Sequence, residues 1–252
     1  MRFLIAIIVA VVGLFSYFTT SSENPVTGEN QRIRMTPAEE IALGRQLAPQ
    51  MASQFGGVSG NENARERVRR VGARVVAQSA AAKASYQFTF NLLADRNTVN
   101  AFALPGGQIF ITEALLGRLK SEDELAAVLG HEVGHVLARH SAEHIAKQQL
   151  TQTMVGAVVI GSGGGYNTAQ LAQMAGNLVN MKHGREDELE ADSLGLRLTQ
   201  EAGYDPRAMI GVMQTLEKAS GGGRQPEFAS THPNPGNRIE RIKEHLSKMP
   251  AR

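Results

Sequence analysis

Histidines at 131 and 135, in the run Gly130-His131-Glu132-Val133-Gly134-His135, constrain this chain more than any other feature. Helix positions four apart return to nearly the same azimuth, so the two imidazoles stand on one face and can reach one tetrahedral metal ion. Glu132 lies about 100° round from His131, near enough to take a proton from a coordinated water but not aimed as a third ligand. Upstream, Ser121 and Glu124 have the spacing of a capping box, which predicts a helix from Ser121 to about His140. Leu125, Leu129, Val133, Val136 and Leu137 cluster opposite the histidines and can fix that helix in a core. Gly130 and Gly134 each destabilise a helix interior by roughly 1 kcal/mol against alanine. Their presence implies that another element approaches this surface closely.

Two ligands do not make a catalytic site, which takes three from the protein and keeps one position open. The chain has no cysteine, so only histidines and carboxylates remain as strong ligands. The same absence excludes disulfides, thiolate nucleophiles and a lipobox. Residues His183 to Gly195 form the acidic start of an amphipathic helix that ends near Ala202-Gly203. Within it Glu188 and Asp192 are four apart, on one face with Gly195. Glu188 on the metal and Asp192 on the second nitrogen of a ligating histidine would supply both needs of such a centre. An ordinary acidic first turn, favoured by the helix dipole, accounts for the charge equally well, and Glu190 is a rival ligand.

The 252 residues, 42% of them hydrophobic, suffice for one sizeable domain or two small ones. A net charge of +2, with no basic cluster interleaved with aromatics, argues against nucleic acid as a partner. Phe3 to Phe18 is almost unbroken apolar behind Arg2, so residues 1–20 read as a signal peptide or N-terminal signal anchor. The remainder is then extracytoplasmic: periplasmic, secreted, or tethered to the inner membrane by residues 3–18. Residues 21–35 are polar and turn-rich, a linker, and 36–249 are expected as one domain.

Helices are expected from Pro37 to Gln54 and from Glu62 to Ser79, with strands over Tyr86 to Leu92, Ala101 to Leu104 and Gln108 to Ile111. A short helix follows Thr112, and helix resumes over 141–160, ending in the apolar Met154 to Ile160. A glycine-rich link over 161–165, a helix over 168–181 and a final helix from Asn237 to Leu246 complete the chain. This predicts an α+β fold, predominantly α-helical, with a small β-sheet beside the motif helix. The last strand, entered at Gly107 and running Gln108-Ile109-Phe110, is expected as an exposed edge. An extended peptide substrate would add there through main-chain hydrogen bonds.

The two segments together resemble the zinc metallopeptidases that pair His-Glu-x-x-His with Glu-x-x-x-Asp. That family includes the type 1 CAAX prenyl proteases, HtpX and BepA-like periplasmic proteases. Stretches matching in order are Asn24-Pro25-Val26-Thr27-Gly28, Asn100 to Gly107, Glu124 to His135, Glu188 to Asp192 and Thr231-His232-Pro233. The resemblance implies a zincin (gluzincin) fold and one Zn2+ per chain on His131, His135 and Glu188, with Asp192 in support and Glu132 as general base. It also implies that His232, otherwise only a loop residue, and Arg238 approach the metal. There they stabilise the oxyanion, or His232 fills the open position at rest. His140, His144, His183 and His245 receive no role.

The implied activity is that of a metalloendopeptidase acting on unfolded or misassembled envelope proteins. The alternative is a chaperone-like interaction protein with a latent zinc site, gated by His232 or by the segment 154–183. With one candidate span and an end at residue 252, neither the several membrane spans of the prenyl proteases nor a helical-repeat domain is expected.

Overall fold

α1 (Arg2–Thr19) opens the chain as an unbroken apolar helix, long and apolar enough to cross a membrane. The computed structural model describes residues 1–162, 183–220, 228, 232 and 237–250. It divides into two compact units, one of residues 1–36 with 139–181, the other of 37–138 with 182–252. On α1 a narrow stripe of small residues is sheltered, Ala6 fully and Ala10, Gly13 and Ser16 in part, while Phe3, Leu4, Ile8, Val11, Val12 and Phe15 are exposed.

The stretch 21–35, expected as a linker, carries an antiparallel hairpin of β1 (Ser22–Glu23) and β2 (Asn30–Gln31). Its organiser is the buried Asn24, whose side-chain oxygen accepts from the Val26 N–H at 2.8 Å and whose amide donates to Gln31 at 3.1 Å. A side chain that satisfies its own turn leaves no hydrophobic period to detect, so the stretch reads as linker.

α2 (Pro37–Gln54) and α3 (Glu62–Ala77) follow, the second starting at Asn61, whose side chain accepts from the Ala64 N–H. α3 buries Val68, Val71 and Val75, one stripe at helical spacing. Three strands come next: β3 (Thr89–Leu93), β4 (Ala101–Leu104) and β5 (Gln108–Thr112). Their order is β3-β5-β4, with β5 parallel to β3 and antiparallel to β4.

That order overturns the expectation of an edge at Gly107, Gln108, Ile109 and Phe110. β5 is the central strand; its main chain is paired on both sides, and Ile109 and Phe110 are buried. Gly107 is buried too, where a Cβ would meet the Gln87 carbonyl oxygen at 2.9 Å. No extended peptide can add to a strand already flanked by two others. The apolar run Ile109-Phe110-Ile111 does not by itself tell an edge from a centre, and the non-local pairing with β3 decides it.

α4 (Glu113–Leu116) is capped by Thr112, whose hydroxyl accepts from the Leu115 N–H at 3.2 Å. α5 (Glu122–Leu137) starts at Ser121, whose hydroxyl accepts from the Glu124 N–H at 3.1 Å. The Glu124 carboxylate reaches back one residue further than a capping box requires, to the Lys120 N–H at 2.6 Å. Every residue of α5 from Glu124 to Leu137 is buried, the histidine face included. The helix stops at Leu137, short of His140, because Arg139 takes a left-handed conformation at φ 59°.

α6 (His140–Ser162) then runs within the first unit and packs along α1, with Ala157 buried. The glycine link beyond Ser162 and the helix expected over 168–181 lie outside the described residues.

In the second unit α7 (Arg185–Glu201), α8 (Ala208–Ser220) and α9 (Arg238–Lys248) complete the fold. α7 lies against α5 more closely than ordinary side chains permit. A Cβ at Gly130 would stand 2.9 Å from the Thr199 hydroxyl, one at Gly134 2.9 Å from the Ala191 carbonyl oxygen, and one at Gly195 2.9 Å from the His131 nitrogen.

Gly195→Ala should therefore push the two backbones apart and destabilise the protein by about 1–3 kcal/mol. Gly60→Ala, where nothing lies within 4 Å of the added methyl, is the control and should change stability by less than about 0.5 kcal/mol. Thermal or urea unfolding of the two variants checks this.

Candidate metal centre

The contact between α5 and α7 turns His131, His135 and Glu188 toward one point. The Nε2 atoms of the two histidines are 3.0 Å apart. Glu188 Oε2 lies 3.5 Å from His131 Nε2, and Glu188 Oε1 lies 3.4 Å from His135 Nε2. Ligands at about 2.0–2.1 Å around a tetrahedral zinc stand roughly 3.3 Å from one another. The distances from Glu188 end on different oxygens, so its carboxylate spans the two imidazoles, each at the spacing of neighbouring corners of such a site. His232 supplies a fourth atom: its Nδ1 is 2.9 Å from Glu188 Oε1 and 3.4 Å from His131 Nε2. All four side chains are buried, and one donor atom from each falls within 4.8 Å of the others. Two imidazoles, a carboxylate and a further imidazole are a donor set that suits a divalent metal.

Asp192 and Arg238 surround this set. Asp192 Oδ1 lies 3.0 Å from His131 Nδ1, so the carboxylate holds the proton on that nitrogen and leaves Nε2 as the electron-pair donor. Arg238 is 1% exposed and lies deep beneath the ligands. Its Nε and Nη2 donate to the two oxygens of Asp192 at 2.6 and 2.7 Å, and its Nη1 pairs with Glu188 Oε2 at 2.8 Å. The expectation that Arg238 serves an oxyanion meets this geometry: three of its nitrogens face carboxylates, which attract a guanidinium more strongly than a neutral carbonyl does. Glu190, the rival ligand, stands outside the cluster.

The environment drives these acids apart. Burial favours the neutral form of Glu132 and pushes its pKa up, because the charges of His232 and His131 only partly offset it. Burial acts on Glu188 in the same sense, but the His232 charge and hydrogen bonds from His131, His135 and His232 hold it well below the usual carboxylate range. Asp192 is likewise lowered: burial opposes ionisation, and the Arg238 guanidinium outweighs it. For His131 burial opposes protonation, yet the bonds to Asp192 and Glu188 prevail and push it up to about 9. His135 is held well below its ordinary value by burial, reinforced by the neighbouring His183. Both oxygens of Glu132 are buried with no hydrogen-bond partner among the described residues, and His232 Nε2 stands 3.7 Å from Oε1.

Two side chains without a sequence-derived role also stand here. The His183 ring stacks on that of His135, centroids 4.1 Å apart. The buried Phe228 stacks on His232 at 4.4 Å, its N–H donates to the Val99 carbonyl, and its own carbonyl accepts from the His232 N–H. Neither residue belongs to a spaced motif. Phe228 lies in a glycine-rich stretch with no period, and only its place in the fold reveals it.

Val99 leads into β4, the strand of the sheet that packs beside α5. Asn100 accepts from the Thr112 N–H, so alternation along an antiparallel pair turns the main-chain groups of Ala101 and Ala103 away from β5. Among the described residues no strand pairs with this side of β4, where Ala101 is buried and Ala103 half-buried.

With the geometry in view, the chain matches the model of peptidase family M48 over residues 62–246, a span that contains every residue of this centre. This chain belongs to peptidase family M48. By family it is a metallopeptidase. Over 151 residues it is 40% identical to the mitochondrial metalloendopeptidase OMA1 of Schizosaccharomyces pombe, covering 59% of this chain and 44% of that protein. Over 146 residues it is 38% identical to the Arabidopsis thaliana protein of the same name, covering 57% and 28%. The beta-barrel assembly-enhancing protease of Yersinia pestis is 32% identical over 166 residues, covering 62% and 34%. This M48 chain therefore spans less than half the length of these relatives.

Arg238→Met should strand two buried carboxylates and destabilise the protein by about 3–5 kcal/mol. Arg238→Lys should recover little, since an ammonium cannot bridge Asp192 and Glu188 as the planar fork does. Chemical denaturation reads both. Chelation should lower the thermal midpoint of the wild type, which loses a ligand of the folded state, and leave that of His131→Ala unchanged.

Proposed function

We propose that this chain is a zinc endopeptidase with a zincin (gluzincin) fold, exported or tethered to a membrane, that hydrolyses peptide bonds of unfolded or misassembled envelope proteins. One observation carries the reading: two imidazole nitrogens 3.0 Å apart, each within 3.5 Å of an oxygen of Glu188, stand beside the buried Glu132, which has no hydrogen-bond partner among the described residues. His131, His135 and Glu188 hold the ion, for which two imidazoles and one carboxylate suit zinc. When bound, zinc supplies Lewis-acid chemistry, polarising a carbonyl and acidifying water.

The protein's own groups do the rest. Glu132, its basicity raised by burial, takes a proton from the attacking water and delivers it to the departing amine. Asp192 keeps His131 in the ligating tautomer, and Arg238 fixes Asp192 and Glu188 in place. The outer edge of β4 at the half-buried Ala103 receives the substrate backbone as an added strand, through main-chain bonds indifferent to sequence. That suits a substrate recognised by being unfolded. Relatives named for endopeptidase activity and for β-barrel assembly support this class of target.

His232 sets the resting state. Its Nδ1, 2.9 Å from Glu188 Oε1, would take the position that water or substrate needs, so in this reading the site rests closed and turnover requires His232 to swing away. The same closure favours a second reading: a chaperone-like interaction protein whose metal site stays latent. Casein cleavage by the full chain separates the two. Glu132→Gln should retain metal and lose about 10²–10⁴-fold in rate, while His232→Ala should keep or raise activity. Metal-loaded wild type and His232→Ala that both fail to cleave would establish the latent reading instead.

Ala103→Pro removes an outward N–H from the β4 edge and leaves the ladder to β5 intact. It should lower kcat/KM on casein about tenfold, the loss of roughly one hydrogen bond, with little change in thermal midpoint.

A further inference from the structure

The first unit holds a pair of arginines that the metal centre does not use. The β1–β2 hairpin folds the chain back so that Arg32 and Arg34 lie beside the last turn of α1. Ile33 between them is buried, and the extended backbone turns both arginines outward together. The Arg32 guanidinium carbon lies 5.6 Å from the centroid of the Tyr17 ring and 5.0 Å from that of Phe18. Arg34 Nε donates to the Thr20 hydroxyl at 3.4 Å. Both side chains border a cavity of about 490 Å³ whose polar lining includes Ser16, Thr20, Gln149 and Thr153, and in which no acidic residue takes part. Among the described residues, neither arginine pairs with a carboxylate.

The level of this cavity along α1 defines what it meets. At 18 residues α1 is about 27 Å long, close to the thickness of a bilayer's hydrocarbon layer. Its exposed face from Phe3 to Phe15 is apolar throughout, and its last turn carries the two aromatic rings, as helices do at a membrane surface. Resting on the tether reading, the geometry points to Arg32 and Arg34 as a binding site for the phosphate headgroup of an anionic phospholipid. The planar guanidinium fork matches phosphate oxygens. Hydroxyl and amide groups of α1 and α6 complete the polar lining, and the acyl chains continue down the apolar face of α1. A free phosphate ester shares the headgroup chemistry but not the chains, so the site belongs to the lipid.

The test uses the full chain in neutral detergent, probed by native mass spectrometry with phosphatidylglycerol, phosphatidylcholine or glycerol 1-phosphate. Flotation on vesicles of phosphatidylcholine alone and of equal parts phosphatidylcholine and phosphatidylglycerol accompanies it. Phosphatidylglycerol should be retained roughly tenfold more than phosphatidylcholine, two arginines near the surface each contributing to the preference. Arg32→Gln/Arg34→Gln should erase that preference, whereas Arg65→Gln/Arg69→Gln, an equal loss of charge on α3, should leave it.

Equal retention of the two lipids, a preference that survives the first double variant, or equal retention of glycerol 1-phosphate each overturns the site. A chain that floats with neither vesicle loses the tether and this site together. One that floats equally with both and shows no phosphatidylglycerol preference loses the site alone.

Discussion

Gly130 and Gly134 on α5 and Gly195 on α7 bring two helix backbones within a distance that no Cβ could share. Everything at the centre depends on that approach. Along the facing side of α7, Glu188, Asp192 and Gly195 come in successive turns, so seating Gly195 on the His131 backbone seats Asp192 on the same residue's ring. Glu188 then stands one turn further along, between both imidazoles. A bulkier contact would separate the helices and open every donor distance at once. Close-packed interiors transmit such a change rather than absorb it.

That rigidity allows one small volume to hold carboxylates of opposite habit. Glu188 and Asp192 are paired with histidines and Arg238, and they stay ionised despite burial. Glu132, one residue from His131 in sequence, receives no such partner, and burial makes it the basic one. Breaking any member of the paired set leaves charge stranded in low dielectric, so His131, His135, Glu188, Asp192 and Arg238 stand or fall together. The role of each acid is set by what faces it rather than by its type.

Phe228 links two other parts of the centre. Its backbone touches Val99 at the start of β4 and its ring covers His232, so the outer side of β4 and the fourth side chain of the cluster share a neighbour. In the other unit the exposed apolar face of α1 ends in two aromatic rings with the Arg32 guanidinium beside them.

The residues differ in how far they could be read without coordinates. His131, Glu132 and His135 were legible because helical geometry is local, and the glycines beside them announced a close neighbour without naming it. The helix start at Ser121 and the alternation from Tyr86 to Leu92 are local in the same way. Glu188 and Glu190 could not be told apart by charge, since the choice depends on which face of α7 meets α5. The hairpin at Asn24, the central position of β5 and the burial of α5 on its polar face all escaped because they rest on pairings between distant segments.

What the sequence determined by itself is the chemistry on offer: a two-histidine helix, an acidic helix to meet it, no thiolate, and an apolar start. Tertiary structure alone decided which carboxylate faces the imidazoles, that Arg238 spends its donors on Asp192 and Glu188, and that β5 rather than β4 lies at the centre of the sheet. The physical reason is that periodicity and capping act within a few residues, whereas donor spacing, desolvation and strand order exist only once remote segments share the same few ångströms.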